Sequence, residues 1–395
     1  MKTLTCVVIG AGHAGIHAVK EIRKWFKDQA GKYPLRLVMI DKNDFHLRKV
    51  LMFRPAVTNE DIRVPLTKLF PDGVDLMQGI VSNINAQEKK LMYVNPSGVE
   101  HEMSYDVLIV AAGSVIRQPD PEQGGIPLTS LENAQKTRSK WLSNLEQAAA
   151  ENEASQRERL LQIIIAGAGI SGMETAAELA YYARKDAERL GLDPKAVKID
   201  LYNAHERLFL EGPVKVGLRL EQLLQENGIN TLHNKRVMKE QDGVIWLSDG
   251  ESRTAGLCIW TLGLQPNPML PTLRLPVTSE GYVQVDNSYR VAGMPGVYSI
   301  GDCARIVDPV SGHVDGKTCK EAIPQAARLA KIILADLEGR RAPVHESYMN
   351  LFSIGLGPDK GLTWVNKWGL DFVITGKLSW KIKKYTWDTA SMLTP

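Results

Sequence analysis

Apolar and polar positions along the chain repeat one pattern twice. Residues 3–9 (TLTCVVI) form a short run rich in β-branched side chains, followed by the turn GAGHAG at 10–15. From residue 16 to about residue 27, Ile16, Val19, Ile22, Trp25 and Phe26 share one helical face. A second apolar run, 35–40, ends at Asp41, so the pattern predicts strand, tight turn, helix and strand. The same order returns 157 residues later, where 161–166 (LQIIIA) leads into GAGISG at 167–172, a helix follows through Tyr182, and 197–202 closes the unit.

Further along, VKVGLRLEQLLQEN predicts a helix stopped by Gly228, with a strand at 229–232. Alternation between residues 235 and 263, with Asp249-Gly250 between the runs, predicts β-structure joined by turns. Residues 281–300 read as extended segments ending at Gly301-Asp302-Cys303-Ala304. A helix is predicted over about 322–337, with Pro324 in its first turn. Beyond Gly339 the composition turns rich in Trp, Lys and Gly.

A length of 395 residues corresponds to two or three domains. The net charge of +3 is too small for a chain that neutralises nucleic-acid phosphates, which removes nucleic acid from the partners. Nowhere does an apolar run reach the ~18 uncharged residues of a spanning helix. The N-terminal apolar stretch enters a glycine motif instead of a cleavage site, and the four scattered cysteines suit a reducing compartment, so a cytoplasmic location is expected.

A GxGxxG pattern carries chemistry only between a strand and a helix, where backbone N–H groups at a helix N-terminus approach a pyrophosphate. Both copies meet that condition, so two dinucleotides are expected. Asp41, at the end of the second strand, either accepts hydrogen bonds from a ribose hydroxyl or caps a turn with Asn43. In the second unit Asn203 takes the acidic position, with His205 and Arg207 close behind. A missing carboxylate removes repulsion against a 2′-phosphate, which Arg207 would pair with unless it lies on a solvated turn; NADPH is expected to be accepted alongside NADH.

The segments VVIGAGHAGIHA, DKNDFHLRKVLMFRPA, YDVLIVAAGS, IIIAGAGISGMETAAELA, WTLGLQPNP and VYSIGDCA resemble the flavoproteins with two dinucleotide-binding domains, and among them the type II NAD(P)H:quinone oxidoreductases. The resemblance implies an α/β fold with two Rossmann-type, glutathione-reductase-like domains: a split FAD domain (1–118 and 268–338), an NAD(P)H domain (119–267) and a C-terminal segment (339–395). It implies that Gly10, Gly12 and Gly15 hold the FAD pyrophosphate, Asp41 with neighbouring Lys42 the adenosine ribose, Val81 the adenine through its backbone, and Gly301-Asp302 the ribityl chain. Ala112 and Gly113 match the small-residue turn between domains, and Gly167, Gly169 and Gly172 the NAD(P)H site. Glu174 matches a glutamate near the nicotinamide; the other reading is an acid stabilised by a helix N-terminus.

In the resembled reductases the flavin-bordering helix begins AQxAxQ, whereas this chain has CKEAIPQA, with Lys320 and Pro324 in the glutamine positions and Gln325 displaced by one. Lys320 and Gln325 are therefore the substrate-binding candidates, and Glu174 and Lys320 the catalytic ones. Lys320 meets a quinone carbonyl, or steadies an anionic reduced flavin, or forms a salt bridge. No cysteine lies between Cys6 and Cys258, which disfavours dithiol chemistry, although Cys319 precedes this helix and is open to a reactive-thiol reading. Dispersed histidines, among them His13, His46, His205 and His233, give no metal site, and His13 is expected to line the phosphate turn.

Four of the eight tryptophans, Trp364, Trp368, Trp380 and Trp387, fall in the last 32 residues beside five lysines. Leu378, Ile382 and Tyr385 make an apolar stripe if this segment is helical, which suits either an interfacial helix on an anionic bilayer or a helix docked on its own protein or a second subunit. The expected reaction is two-electron transfer from NAD(P)H through FAD to a membrane quinone of the menaquinone or ubiquinone class, peripheral on the inner face of the cell membrane. A soluble reductase for an iron–sulfur or other redox protein, and a nucleotide sensor, are the alternatives; a homodimer stays open.

Overall fold

The computed structural model describes residues 3–29 and 31–393; residues 394 and 395 of the expected C-terminal segment lie outside that description. Five parallel strands form a first sheet in the order Val297–Ser299, Val107–Val110, Leu4–Ile9, Leu35–Asp41, Asp75–Gln78. Helices His13–Lys27 and Cys319–Leu337 pack against one another beside it. Strands covered on both faces read as unbroken apolar runs, and Val107–Val110 is buried at every position.

A second five-stranded parallel sheet repeats the plan: Ile126–Pro127, Leu257–Trp260, Gln162–Ala166, Lys198–Tyr202, Ile229–Leu232. Each sheet has its glycine-motif strand at the centre. In each half a three-stranded antiparallel meander precedes the strand that flanks the glycine-motif strand: Ile80–Asn85, Lys90–Val94 and Glu100–Ser104 in the first, Val237–Gln241, Val244–Leu247 and Ser252–Thr254 in the second. The duplication visible in the two glycine turns thus extends through the architecture. Between the halves, Ser114–Ile116 pairs antiparallel with Leu264–Pro266.

Two elements differ from the sequence reading. The helix expected from about residue 322 begins at Cys319, because Thr318 and Glu321 form a reciprocal capping box, and Pro324 therefore sits inside it. After residue 339 the chain forms an antiparallel sheet, Leu351–Gly355, Gly361–Lys367 and Leu370–Thr375, before the helix Gly376–Ala390. That helix docks one face on its own protein, where Ser379, Trp387 and Ala390 are buried, and leaves Leu378 and Tyr385 exposed at 60% and 63%. Its end is tied to the first half: Arg48 meets Asp388 at 2.6 Å, and His17 Nε2 contacts the Ala390 carbonyl at 3.0 Å. Among the described residues no helix is long and apolar enough to cross a membrane.

The halves also meet through a buried carboxyl. Glu178, on the helix Ile170–Arg189, faces Arg54 at 3.4 Å, with Glu60 on the far side of the guanidinium. Burial pushes the Glu178 carboxyl up to about 7, against the pull of Arg54 and with a push from Glu174. Folding therefore favours the protonated form: this stability is fully present below the ordinary glutamate value and is lost as pH rises through about 7. Denaturant unfolding of Glu178→Gln is expected to show the variant gaining on the wild type between pH 5 and pH 8, by up to about 3 kcal/mol. An equal stability difference at both pH values would contradict this.

Candidate functional site

Both glycine turns are closed by steric contact. Gly10 has φ +102°, and a Cβ there would lie 2.4 Å from the Ala111 carbonyl oxygen; one on Gly15 would lie 1.8 Å from the Gly10 oxygen. In the second turn Gly167 (φ +120°) and Gly172 repeat this at 2.4 Å from the Thr261 oxygen and 1.9 Å from the Gly167 oxygen. The middle glycines, Gly12 and Gly169, have nothing within 4 Å of a built Cβ. The outer glycines are thus demanded by packing, and the middle one leaves room for a ligand to approach the backbone. Neither Gly12 nor Gly169 caps its helix with a side chain, so the first amides of both helices face outward without a side-chain acceptor.

The first turn opens on a cavity of about 420 Å³, which Ile170, Ser171 and Glu174 of the second turn's helix also line. Asp41 caps its turn and lines this cavity: one carboxylate oxygen accepts from the Ala11 amide at 2.7 Å, the other from Asn43 at 2.8 Å, and burial pushes its carboxyl up. Lys42, Ala112 and Gly113 line the same cavity. Ser114 donates to Asp302 at 2.7 Å, and Lys49 donates to the Ser114 carbonyl at 2.8 Å. Burial raises the Asp302 carboxyl, with Lys49 and Ser114 pulling the other way, and burial likewise lowers the Lys49 ammonium.

His13 lines this cavity with its Nε2 buried and without a partner, edge-on to His46 at 4.8 Å. Burial, reinforced by His46, holds His13 well below its usual range, so it is neutral; burial brings His46 to about 4. Two uncapped helix N-termini, glycine turns open at their middle residue and an orphaned ring nitrogen fit a pair of dinucleotide pyrophosphates.

On the cavity's other wall Glu174 is buried, and one oxygen accepts from the Gly355 amide at 2.9 Å and Lys383 at 2.8 Å. It stands beyond the first turn of its helix, so the helix-terminus reading of this acid does not describe it. Lys383 also donates to the Ser353 carbonyl at 2.6 Å. Lys320 donates to the Leu351 carbonyl at 2.7 Å and lies 3.9 Å over the Phe352 ring, with its ammonium lowered by burial. Its alternative reading as a salt bridge finds no ion pair among the described residues. Burial raises the Cys319 thiol, which leaves little thiolate for a reactive role.

A second cleft of about 510 Å³ is lined by Gly167, Gly169, Asn203, His205, Arg207, Arg236 and Arg117. Asn203 is engaged by the Arg207 carbonyl and His233, both at 2.9 Å. Arg207 differs from its expectation: its guanidinium donates to the carbonyls of Leu208, Phe209, Leu210 and Gly212, so it braces its own loop. Lys235 is held by Asp249 and Glu251, whereas the Arg236 guanidinium has no hydrogen bond or ion pair among the described residues.

One more expected contact, that of Gln325, falls elsewhere. Val81, expected to meet the adenine through its backbone, packs its side chain into the core with Ile40 and Leu91. Gln325 is buried as well and spends its amide on Gly301 and Asp315 rather than on a substrate. His313, Asp315 and Glu321 lie close enough together to hold a cation, but Glu321 accepts from Gly316 and Thr318, and Asp315 from Gln325 and Ser347. Lys49, Ser114, Phe352, Lys383 and Trp387 line the cavity without having been singled out for it from sequence; each is brought there from a distant segment. A larger groove of about 640 Å³, lined by Lys20, Arg23, Lys24 and Lys27, touches neither glycine turn.

The profile of the pyridine nucleotide-disulphide oxidoreductases matches residues 4–327. A type II NADH:quinone oxidoreductase of Mycobacterium tuberculosis is 26% identical over 361 residues, covering 87% of this chain and 74% of the relative. A demethylphylloquinone reductase of Synechocystis is 25% identical over 344 residues, covering 84% and 80%. NDH2 from Plasmodium falciparum, solved in complex with NADH, superposes with a TM-score of 0.81 at 14% identity, covering 99% and 97% of the two chains, a likeness of fold. With the two nucleotide turns in place, this chain belongs to the pyridine nucleotide-disulphide oxidoreductase family, has FAD and NAD(P)H as its cofactors, and is similar within it to the type II NADH:quinone oxidoreductases.

Proposed function

We propose that the chain passes two electrons from NAD(P)H through FAD to a membrane quinone of the menaquinone or ubiquinone class. The observation that carries this is a single cavity bordered by both glycine-turn helices and closed by residues of the C-terminal sheet and helix. FAD, when bound, accepts hydride from the nicotinamide and hands two electrons on. We assign FAD to residues 1–118 and 268–338 and NAD(P)H to 119–267, in keeping with the two parallel sheets, and the acceptor wall to 339–395.

In this reading the amides after Gly12 hold the FAD pyrophosphate, Asp41 takes the ribose, and Asp302, oriented by Ser114 and Lys49, takes the ribityl chain. Gly167, Gly169 and Gly172 shape the NAD(P)H turn. Lys320 Nζ, desolvated over Phe352, is the donor toward a quinone carbonyl, and Glu174 fixes Lys383 at the same wall. For a 2′-phosphate, Arg236 replaces Arg207 as the partner, because its guanidinium is not consumed by the fold.

The membrane reading is supported by Trp368, exposed at 83%, and by Leu370, Phe372, Leu378 and Tyr385, also exposed, interleaved with Lys367, Lys377, Lys381 and Lys384. Apolar side chains ringed by lysines suit the interface of an anionic bilayer on the inner face of the cell membrane. A second copy covering this face, or a soluble redox protein as acceptor, are the competing outcomes.

Lys320→Ala is expected to slow flavin reoxidation by a menaquinone analogue by about tenfold to a hundredfold while leaving reduction by NADH unchanged; equal damage to both half-reactions would remove Lys320 from the acceptor side. Arg236→Ala should raise KM for NADPH about tenfold and leave that for NADH alone, and an unchanged ratio of kcat/KM values would sink the assignment. Sedimentation with phosphatidylglycerol vesicles should lose the Leu378→Ser/Tyr385→Ser variant; undiminished binding would point to another surface.

A further inference from the structure

Beneath the flavin-side turn runs a chain of buried polar groups that nothing in the reaction above uses. Gly301, with φ +75°, packs so closely on the first glycine-turn helix that a Cβ would lie 2.6 Å from the Ala14 Cβ. Its amide donates to Gln325 Oε1 at 2.8 Å, and Gln325 Nε2 donates to Asp315 Oδ2 at 2.7 Å. Asp315 Oδ1 meets His345 Nε2 at 3.1 Å, and His345 Nδ1 meets the Tyr289 hydroxyl at 2.8 Å, which accepts from Arg328 at 2.9 Å. Gln325, Asp315, His345 and Tyr289 are all buried.

The direction of every bond follows from its two fixed ends. Arg328 can only donate, so the Tyr289 hydroxyl accepts from it and gives its own proton to His345 Nδ1. Arg328 also stands 3.5 Å from Nδ1, which again requires that nitrogen to be an acceptor. His345 is therefore the Nε2–H tautomer and donates to Asp315. At the other end the Gly301 amide can only donate, which fixes the Gln325 amide with its oxygen toward Gly301 and its NH₂ toward the carboxylate. Burial raises the Asp315 carboxyl, but the bonds from His345 and Gln325 outweigh it and keep the group below its usual range.

We infer that Gln325, Asp315 and His345 are positioning residues for FAD: they hold the Gly301-Asp302 turn in the conformation that receives the ribityl end of the cofactor. Asp315 does this from a loop that continues into Lys317 and Thr318, which line the same cavity, so one carboxylate sets two of its walls. His345 belongs to the connector that leads into the C-terminal sheet, and so ties that unit to the turn. The inference rests on the placement of FAD at Asp302.

The test is the rate of FAD release, read from recovered flavin fluorescence on dilution of the holoprotein. Gln325→Glu sets two carboxylates against each other and should release FAD at least about tenfold faster, which corresponds to about 1.4 kcal/mol. In Asp315→Asn/Gln325→Glu the charge is exchanged across the contact: the carboxylate introduced on the helix still accepts from Gly301, and the amide introduced on the loop donates to that carboxylate and accepts from His345. That double variant should return to within about threefold of the wild-type rate, a rescue that loss of general packing would not give. Gln325→Met, which keeps volume and removes both bonds, should behave as Gln325→Glu does. Wild-type release in Gln325→Glu or Gln325→Met, or a double variant as fast as Gln325→Glu, overturns the inference. Asp302→Ala separates the two layers: fast release there with wild-type release in Gln325→Glu overturns the positioning role alone, whereas wild-type release in Asp302→Ala overturns the flavin placement and the inference with it.

Discussion

Everything in the site depends on how closely each glycine-turn helix sits on its own strand. A Cβ on Gly15 or Gly172 would fall within 2 Å of a carbonyl oxygen in the same turn, so neither helix can start where it does with any other residue. That approach aims the first helical amides out of the sheet edge and into the cleft. Because the constraint occurs twice, with a meander following in both halves, two open helix N-termini are built by one rule. The antiparallel pairing of Ser114–Ile116 with Leu264–Pro266 then links the halves.

Electrostatics finishes what packing begins. The cavity is apolar enough that Asp41, Asp302 and Lys49 all have their charged forms opposed by burial, and each is answered by amides, a hydroxyl or an opposite charge. Single removal of any partner would leave a desolvated charge behind, so the set stands or falls together. The Glu174–Lys383 pair extends this logic to the C-terminal helix. That helix is part of the cavity wall on one side and carries exposed Leu378 and Tyr385 on the other, so the proposed acceptor wall and the proposed membrane face share one short element.

Elements whose neighbours are close in sequence were legible from the chain. The strands at 3–9, 35–40, 161–166 and 197–202 stand out because buried parallel strands are continuously apolar, and the glycine turns because packing allows nothing else. Asp41 was legible for the same reason, since it ends a strand beside the turn it serves. Contacts across long sequence distances were not. Ser114 meets Asp302, and Glu174 meets Lys383, across about two hundred residues, and no local pattern marks either partner. Arg207 looked available because its acceptors are backbone carbonyls, which sequence does not display. In sequence Lys383 is one of a row of lysines flanking an apolar stripe, and only the fold separates it from Lys381 and Lys384. The tail's sheet has no distinct signature in sequence, because its Trp, Gly and Lys spacing resembles an amphipathic segment as much as a meander.

The central claim is that both cofactors work at one cavity that also admits a quinone, and anaerobic stopped-flow of the FAD-loaded protein tests it most directly. Flavin bleaching by NADH or NADPH, followed by rapid reoxidation on mixing with a menaquinone or ubiquinone analogue and none with a disulfide, is the predicted result. A flavin that is reduced quickly but stays reduced in the presence of every quinone would contradict the account.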